Sequence, residues 1–157
     1  MVAWPIAVKA TELPARTGSD YPPPYNEPCR QRVRRALGDA FGLDQFGVHL
    51  LELPPGAWSS QRHWHEREDE LIYVLEGEVD LVTEAGSTTL SAGMTAGFRA
   101  GQPDGHHLLN RSDRVARILE VGTRSNAETA HYPDIDMIYN EVDVPEGYYR
   151  RDGSPYR

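Results

Sequence analysis

From Phe46 onward the chain breaks into short apolar runs, each ended by a glycine-containing turn after about four to eight residues, and this punctuation limits what it can fold into. Runs this short stop before an amphipathic helix completes its turns, yet they match the length of antiparallel strands. The alternation predicts strands at about 46–53, 57–65, 70–76, 78–84, 87–90, 94–98, 105–110 and 114–122. Glu76-Gly77-Glu78 and Glu84-Ala85-Gly86-Ser87 place glycine where tight hairpins take positive φ. A set of short strands at this spacing predicts an all-β fold, a closed barrel or jelly roll. The 14 glycines, 12 prolines and 39% hydrophobic residues agree with a turn-rich folded chain.

At 157 residues the chain has room for one core, since a protein of this size buries roughly two-thirds of its unfolded surface. The expectation is a single domain over 1–157: an arm and edge strand over 1–45, the barrel over 46–123, and a terminal strap over 124–157. Pro5, Pro14, Pro22, Pro23, Pro24 and Pro28 predict an extended arm without helix over residues 1–29. Arg30 to Leu37 reads as a solvated or salt-bridged strand edge in preference to an anion site. In the strap, Tyr132, Ile135, Met137, Ile138 and Tyr139 are available for packing. A net charge of −8 repels nucleic-acid backbones and anionic membranes. No run approaches the ~18 apolar residues of a membrane span. Cys29, the one cysteine, has no internal disulfide partner, and MVAWPIAVKATELP lacks the features of a secretory signal, so a soluble cytoplasmic protein is expected.

Four of the six histidines fall in two clusters, His63-Trp64-His65 and His106-His107. Residues i and i+2 of a strand share a face about 7 Å apart, so His63 and His65 can address one point while Trp64 faces away. Glu70, five positions beyond His65, needs a bend, which the polar Glu66-Arg67-Glu68-Asp69 can provide. Glu70, Ile72 and Val74 then share the inner face, and Leu71, Tyr73 and Leu75 the outer one; apolar residues on both faces predict a strand covered on both sides. Of His106 and His107, alternation lets only one face inward. Three neutral imidazoles and a carboxylate form a ligand set for Zn, Mn, Fe, Co or Ni and not for Ca or Mg. The plainer reading of a strand histidine is a surface residue or a hydrogen-bonded core residue.

Gly56, His63, His65, Glu70 and Gly77, followed by Gly97, Pro103, Gly105, His106 and Asn110, resemble the two motifs of the cupin superfamily. The Gly56–His63 gap is one residue longer than usual, and His106 follows Gly105 directly where the family has an intervening pair. Anchoring on histidine-xxx-asparagine selects His106 as the fourth ligand, whereas counting from the glycine comes nearer His107. The resemblance implies a double-stranded β-helix, a divalent metal ion on His63, His65, Glu70 and His106, and a homodimer. HWHEREDELIYVLEGEV, GHHLLNRSD, LEVGTR and YPDIDM resemble a subgroup of small bacterial cupins, some of them labelled sugar-phosphate isomerases.

What this implies for function is a metal-dependent enzyme acting on a small polar carbonyl compound, a sugar or sugar phosphate, by isomerisation. The alternatives are an Fe- or Ni-dependent dioxygenase and a non-catalytic small-ligand-binding or regulatory protein. His49, Tyr73, Trp58, Gln61 and Asn110 are candidates for supporting the ligands from behind or lining the pocket, each with an ordinary packing role as the alternative. Arg62 and Arg99 can face an anionic substrate or simply pair with carboxylates.

Overall fold

The short apolar runs become antiparallel strands in a computed structural model, which describes residues 3–156. Along the chain these are β1 (Arg16–Thr17), β2 (Val33–Ala36), β3 (Phe46–Leu53), β4 (Trp64–His65), β5 (Glu70–Glu76), β6 (Glu78–Thr83) and β7 (Gly86–Ser91). They continue as β8 (Thr95–Phe98), β9 (His107–Leu109), β10 (Ala116–Thr123), β11 (Thr129–Tyr132), β12 (Met137–Asn140) and β13 (Gly147–Tyr149). A six-stranded sheet runs β1-β2-β3-β10-β5-β8, a three-stranded sheet β7-β6-β9, and a four-stranded sheet β13-β12-β11-β4. Among the described residues no helix is long and apolar enough to cross a membrane.

The barrel core lies between the first two sheets. Leu51, Leu53, Ile72, Val74 and Ile118 point inward from the larger sheet and meet Val79, Leu90 and Leu108 from the smaller one. Each of these side chains contributes about 1.5–3 kcal/mol by leaving water. Gly77 makes the turn from β5 to β6 at φ +77°, and a Cβ there would sit 3.0 Å from the Val115 carbonyl oxygen.

Several expectations are corrected. The segment 57–65 is a strand only at β4; otherwise it makes isolated bridges, Trp58 to Leu109 and His63 to His106. Ser59, Ser60 and Gln61 are buried, and buried polar side chains need partners that a regular ladder would not supply. The loop supplies them: Ser59 Oγ accepts from Leu108 N–H at 2.8 Å, and Gln61 Nε2 donates to the Tyr25 carbonyl at 2.7 Å. The outer face of β5 is not covered by its own chain, for Leu71, Tyr73 and Leu75 are 46, 41 and 47% exposed.

In the arm, expected to lack helix, Ala10–Glu12 and Glu27–Cys29 each form a single 3-10 turn. Arm and strap also meet. Tyr21 and Cys29 are buried against Ala130, Tyr132 and Met137 in a second, largely aromatic core, with Tyr21 edge-on to Tyr132 at 5.6 Å. The strap is therefore a sheet, β11 to β13, and it pairs with β4. In the basic stretch Arg34 pairs with Glu120 and Arg35 with Glu52, as a salt-bridged edge should; Arg32 is buried instead.

Candidate metal centre

Three separate pieces of chain carry the four predicted ligands to one place. His63 and His106 face each other across an isolated bridge, His63 N–H donating to the His106 carbonyl at 3.1 Å and His106 N–H to the His63 carbonyl at 2.9 Å. His65 lies on β4, registered opposite Ala130 of β11. Glu70 opens β5 after the bend at 66–69 and pairs with Gly122 and Phe98. Gly105 must be glycine here, because a Cβ would lie 2.9 Å from Pro133 and 3.3 Å from Arg62.

One Glu70 oxygen, Oε2, is the focus of all three rings: His106 Nε2 lies at 2.6 Å, His65 Nε2 at 3.5 Å and His63 Nε2 at 3.8 Å. Donor atoms of His63, Glu70 and His106 all lie within 4.8 Å of one another. Phe98 stacks flat on His106 at 3.5 Å and fixes its plane. Burial pushes the Glu70 carboxyl up, but its contacts with His106, His63 and His65 outweigh that and hold it well below the usual carboxylate range.

Hydrogen bonding on the far side of the rings tests whether a cation fits. His63 Nδ1 lies 2.8 Å from the Gln61 carbonyl oxygen, which can only accept, so Nδ1 carries the proton. In the neutral ring Nε2 then turns a lone pair toward a carboxylate oxygen, an arrangement that a metal ion between them would satisfy. His65 differs: its Nδ1 lies 3.6 Å from Glu128 Oε1 and 3.9 Å from Glu68 Oε2, within ion-pair but not hydrogen-bond reach, while Nε2 faces Glu70. Burial alone would push the His65 imidazole down; the neighbouring carboxylates of Glu128 and Glu70 raise it to about 10, so positive charge is favoured at this spot. The residues present fit a divalent ion.

Glu128 was not foreseen. It is 2% exposed, and its carboxylate accepts from Glu66 N–H at 2.8 Å and Arg67 N–H at 3.1 Å as well as facing His65. It thus holds both the bend and the ring. No motif contains it, and nothing in its local sequence signals the role.

The other candidates divide. His49 lines the cavity beside the ligands, and burial pushes its imidazole down. Tyr73 points out of the barrel. Asn110 is fully buried away from the ligands, where Nδ2 donates to the Leu53 and Arg114 carbonyls, each at 2.7 Å. Trp58 lies edge-on to His107 at 4.7 Å, and His107 Nδ1 donates to the Ser60 carbonyl at 2.9 Å. Trp64 stacks on His131 at 4.3 Å and lines the smaller cavity next to the centre. Arg62 is taken by Asp134, at 2.8 Å, and by Glu84.

The centre opens into a cavity of about 380 Å³, with a second of about 210 Å³ that shares His65, Glu68, Glu70, Phe98 and His106 and is flanked by the exposed Arg99. The larger lies in the size range of small-molecule sites.

A family model described as a cupin domain matches residues 49–122. Among solved structures, a protein from Silicibacter pomeroyi described as a sugar phosphate isomerase from a cupin superfamily is 42% identical over 96% of both chains, with a TM-score of 0.90. One from Acidithiobacillus ferrooxidans, named as a candidate sugar phosphate isomerase, is 27% identical over 81% of both chains, with a TM-score of 0.73. A polyketide cyclase from Streptomyces resistomycificus shares the fold, at 22% identity over 74% of this chain and 78% of its own, with a TM-score of 0.58. Comparison with curated proteins gives no match. With the barrel, the two histidine motifs and these similarities together, the chain belongs to the cupin superfamily.

Proposed function

We propose that the chain is a metal-dependent enzyme that isomerises a small polar carbonyl substrate, a sugar or sugar phosphate, with His63, His65, Glu70 and His106 as the metal ligands. The observation that carries this reading is the convergence of three imidazoles and one carboxylate on the wall of a cavity that also presents guanidinium, imidazole and phenol groups. Likeness to the Silicibacter pomeroyi protein supports it. Held by His63, His65, Glu70 and His106, a divalent ion would polarise a substrate carbonyl or hydroxyl oxygen. Aldose–ketose exchange further needs a group that moves a proton between neighbouring carbons, and His49, kept neutral by burial, offers a lone pair in the same cavity.

The test is elemental analysis of the purified protein and of its His63→Ala and His106→Ala variants, combined with an assay of aldose and ketose phosphates. About one transition-metal ion per chain is expected in the wild type and little in either variant. Metal-free but active protein, or full metal content in both variants, would refute the reading.

We also propose a homodimer. Its support is the outward row Leu71, Tyr73 and Leu75 on β5, bordered by the ion pairs of Arg117 with Glu76 and Glu52. An apolar centre with a charged rim is the anatomy of an interface. A second copy is the occupant that fits, because a twofold axis brings apolar row to apolar row and leaves the paired charges at the edge.

A further inference from the structure

Arg32 differs from the other arginines in the wall of the larger cavity. It is only 9% exposed, and among the described residues it has no carboxylate partner. Its Nε donates to the Gly18 carbonyl at 2.9 Å and its Nη1 to the Ser59 carbonyl. A guanidinium carries five N–H donors, so most of this one's capacity is left for something else. The nearby carboxylate is already engaged: Glu120 takes Arg34 through both oxygens, at 2.9 and 3.1 Å. With His49 kept neutral by burial, the Arg32, Arg34 and Glu120 wall retains one uncompensated positive charge. Burying such a charge is expensive unless a counter-charge arrives.

We infer that Arg32 forms an anion subsite of the cavity, which takes the phosphate or carboxylate group of the substrate while its carbonyl end lies at the histidine centre. The inference rests on the reading of this cavity as the substrate site. Tyr21 stands in the same wall as Arg32, and ring-to-ring steps of 5.6 Å to Tyr132 and 5.7 Å from there to His63 lead to the ligands. Tyr21 and Tyr132 keep their protons because burial pushes both phenols up, so neither contributes a repelling negative charge. A guanidinium offering paired N–H groups matches the oxygens of a phosphate or carboxylate better than an ammonium would.

The experiment is a titration of inorganic phosphate, and separately of acetate, into chelator-treated protein, followed by calorimetry and phosphorus NMR. Wild type, Arg32→Gln and Arg32→Lys are compared. Metal-free wild type is expected to bind millimolar phosphate. Arg32→Gln should weaken it at least about tenfold, the loss of a charge-assisted contact, and Arg32→Lys should fall between the two. A hexose phosphate should displace phosphate and the free hexose should not; stronger binding of acetate than of phosphate identifies a carboxylate substrate. No binding of either anion by metal-free wild type overturns the inference, whether or not the variants fold, and so does unchanged binding by Arg32→Gln. Because the titration is made without metal or turnover, loss of the isomerase reading leaves its outcome standing. Isomerase activity indifferent to Arg32 sinks the subsite alone.

Discussion

Glu128 touches the proposed ligand set only from behind, yet it ties together His65, the bend after it and the strap. Its carboxylate faces His65 Nδ1 and accepts two backbone N–H groups. In Glu128→Gln an oxygen remains for the backbone while the charge behind His65 is gone. The fold should persist and metal affinity should drop roughly 10–100-fold in a calorimetric titration, the usual cost of losing a ligand's outer partner. Glu128→Ala should show the same loss and also lower stability by about 1–3 kcal/mol in urea unfolding, because buried N–H groups are left unpaired. Metal affinity equal to wild type in both variants would remove Glu128 from the site. Motif spacing pointed to His63, His65 and Glu70 and left His106 to be weighed against His107, whereas it could not point to Glu128, because the role of Glu128 depends on a contact between segments some sixty residues apart.

The strap is held to the loop that presents His63 by Arg62, whose guanidinium engages Asp134 at 2.8 Å, Glu84 at 3.1 Å and the Gly105 carbonyl at 3.1 Å. The hydrogen bond from Arg62 holds the Asp134 carboxyl below its ordinary value. A carboxylate with a depressed folded pKa binds fewer protons folded than unfolded. Its stabilisation is therefore present above the unfolded pKa, near 3.9, and lost as pH falls through the folded value. Wild type should exceed Asp134→Asn in stability at neutral pH, and the gap should close in acid below about pH 4. A gap independent of pH in urea titrations would show that the pair does not act through charge. At this scale the sequence was legible for β3, β5 and β10, where short apolar runs bounded by turn residues match the observed strands to within two residues. It misled at 57–65, since period-two patterning does not distinguish a strand from a loop that buries Ser59, Ser60 and Gln61 on specific partners.

For the whole molecule, the outward row of β5 carries the prediction on assembly. Tyr73→Asp combined with Leu75→Asp should convert a dimer into a folded monomer by light scattering, with metal content unchanged, because these side chains are exposed on the outer face and line neither cavity. Dimers that survive the double substitution would place the interface elsewhere. The same row shows where reading faces from sequence went astray. Apolar residues on both sides of β5 led to an expectation of cover on both, but the chain's own sheets reach only the inner one.

What the sequence by itself determined are local properties: strand periodicity, turn positions and the residue types able to ligate a metal at motif spacing. These follow from backbone geometry within a few residues. Only the tertiary structure decided that His106 and not His107 joins His63 and Glu70, that the strap supplies Glu128, and that Arg32 is buried in the cavity wall without a carboxylate. Those outcomes depend on how distant segments register and pack, and alternation within any single strand carries no information about which partner it will meet.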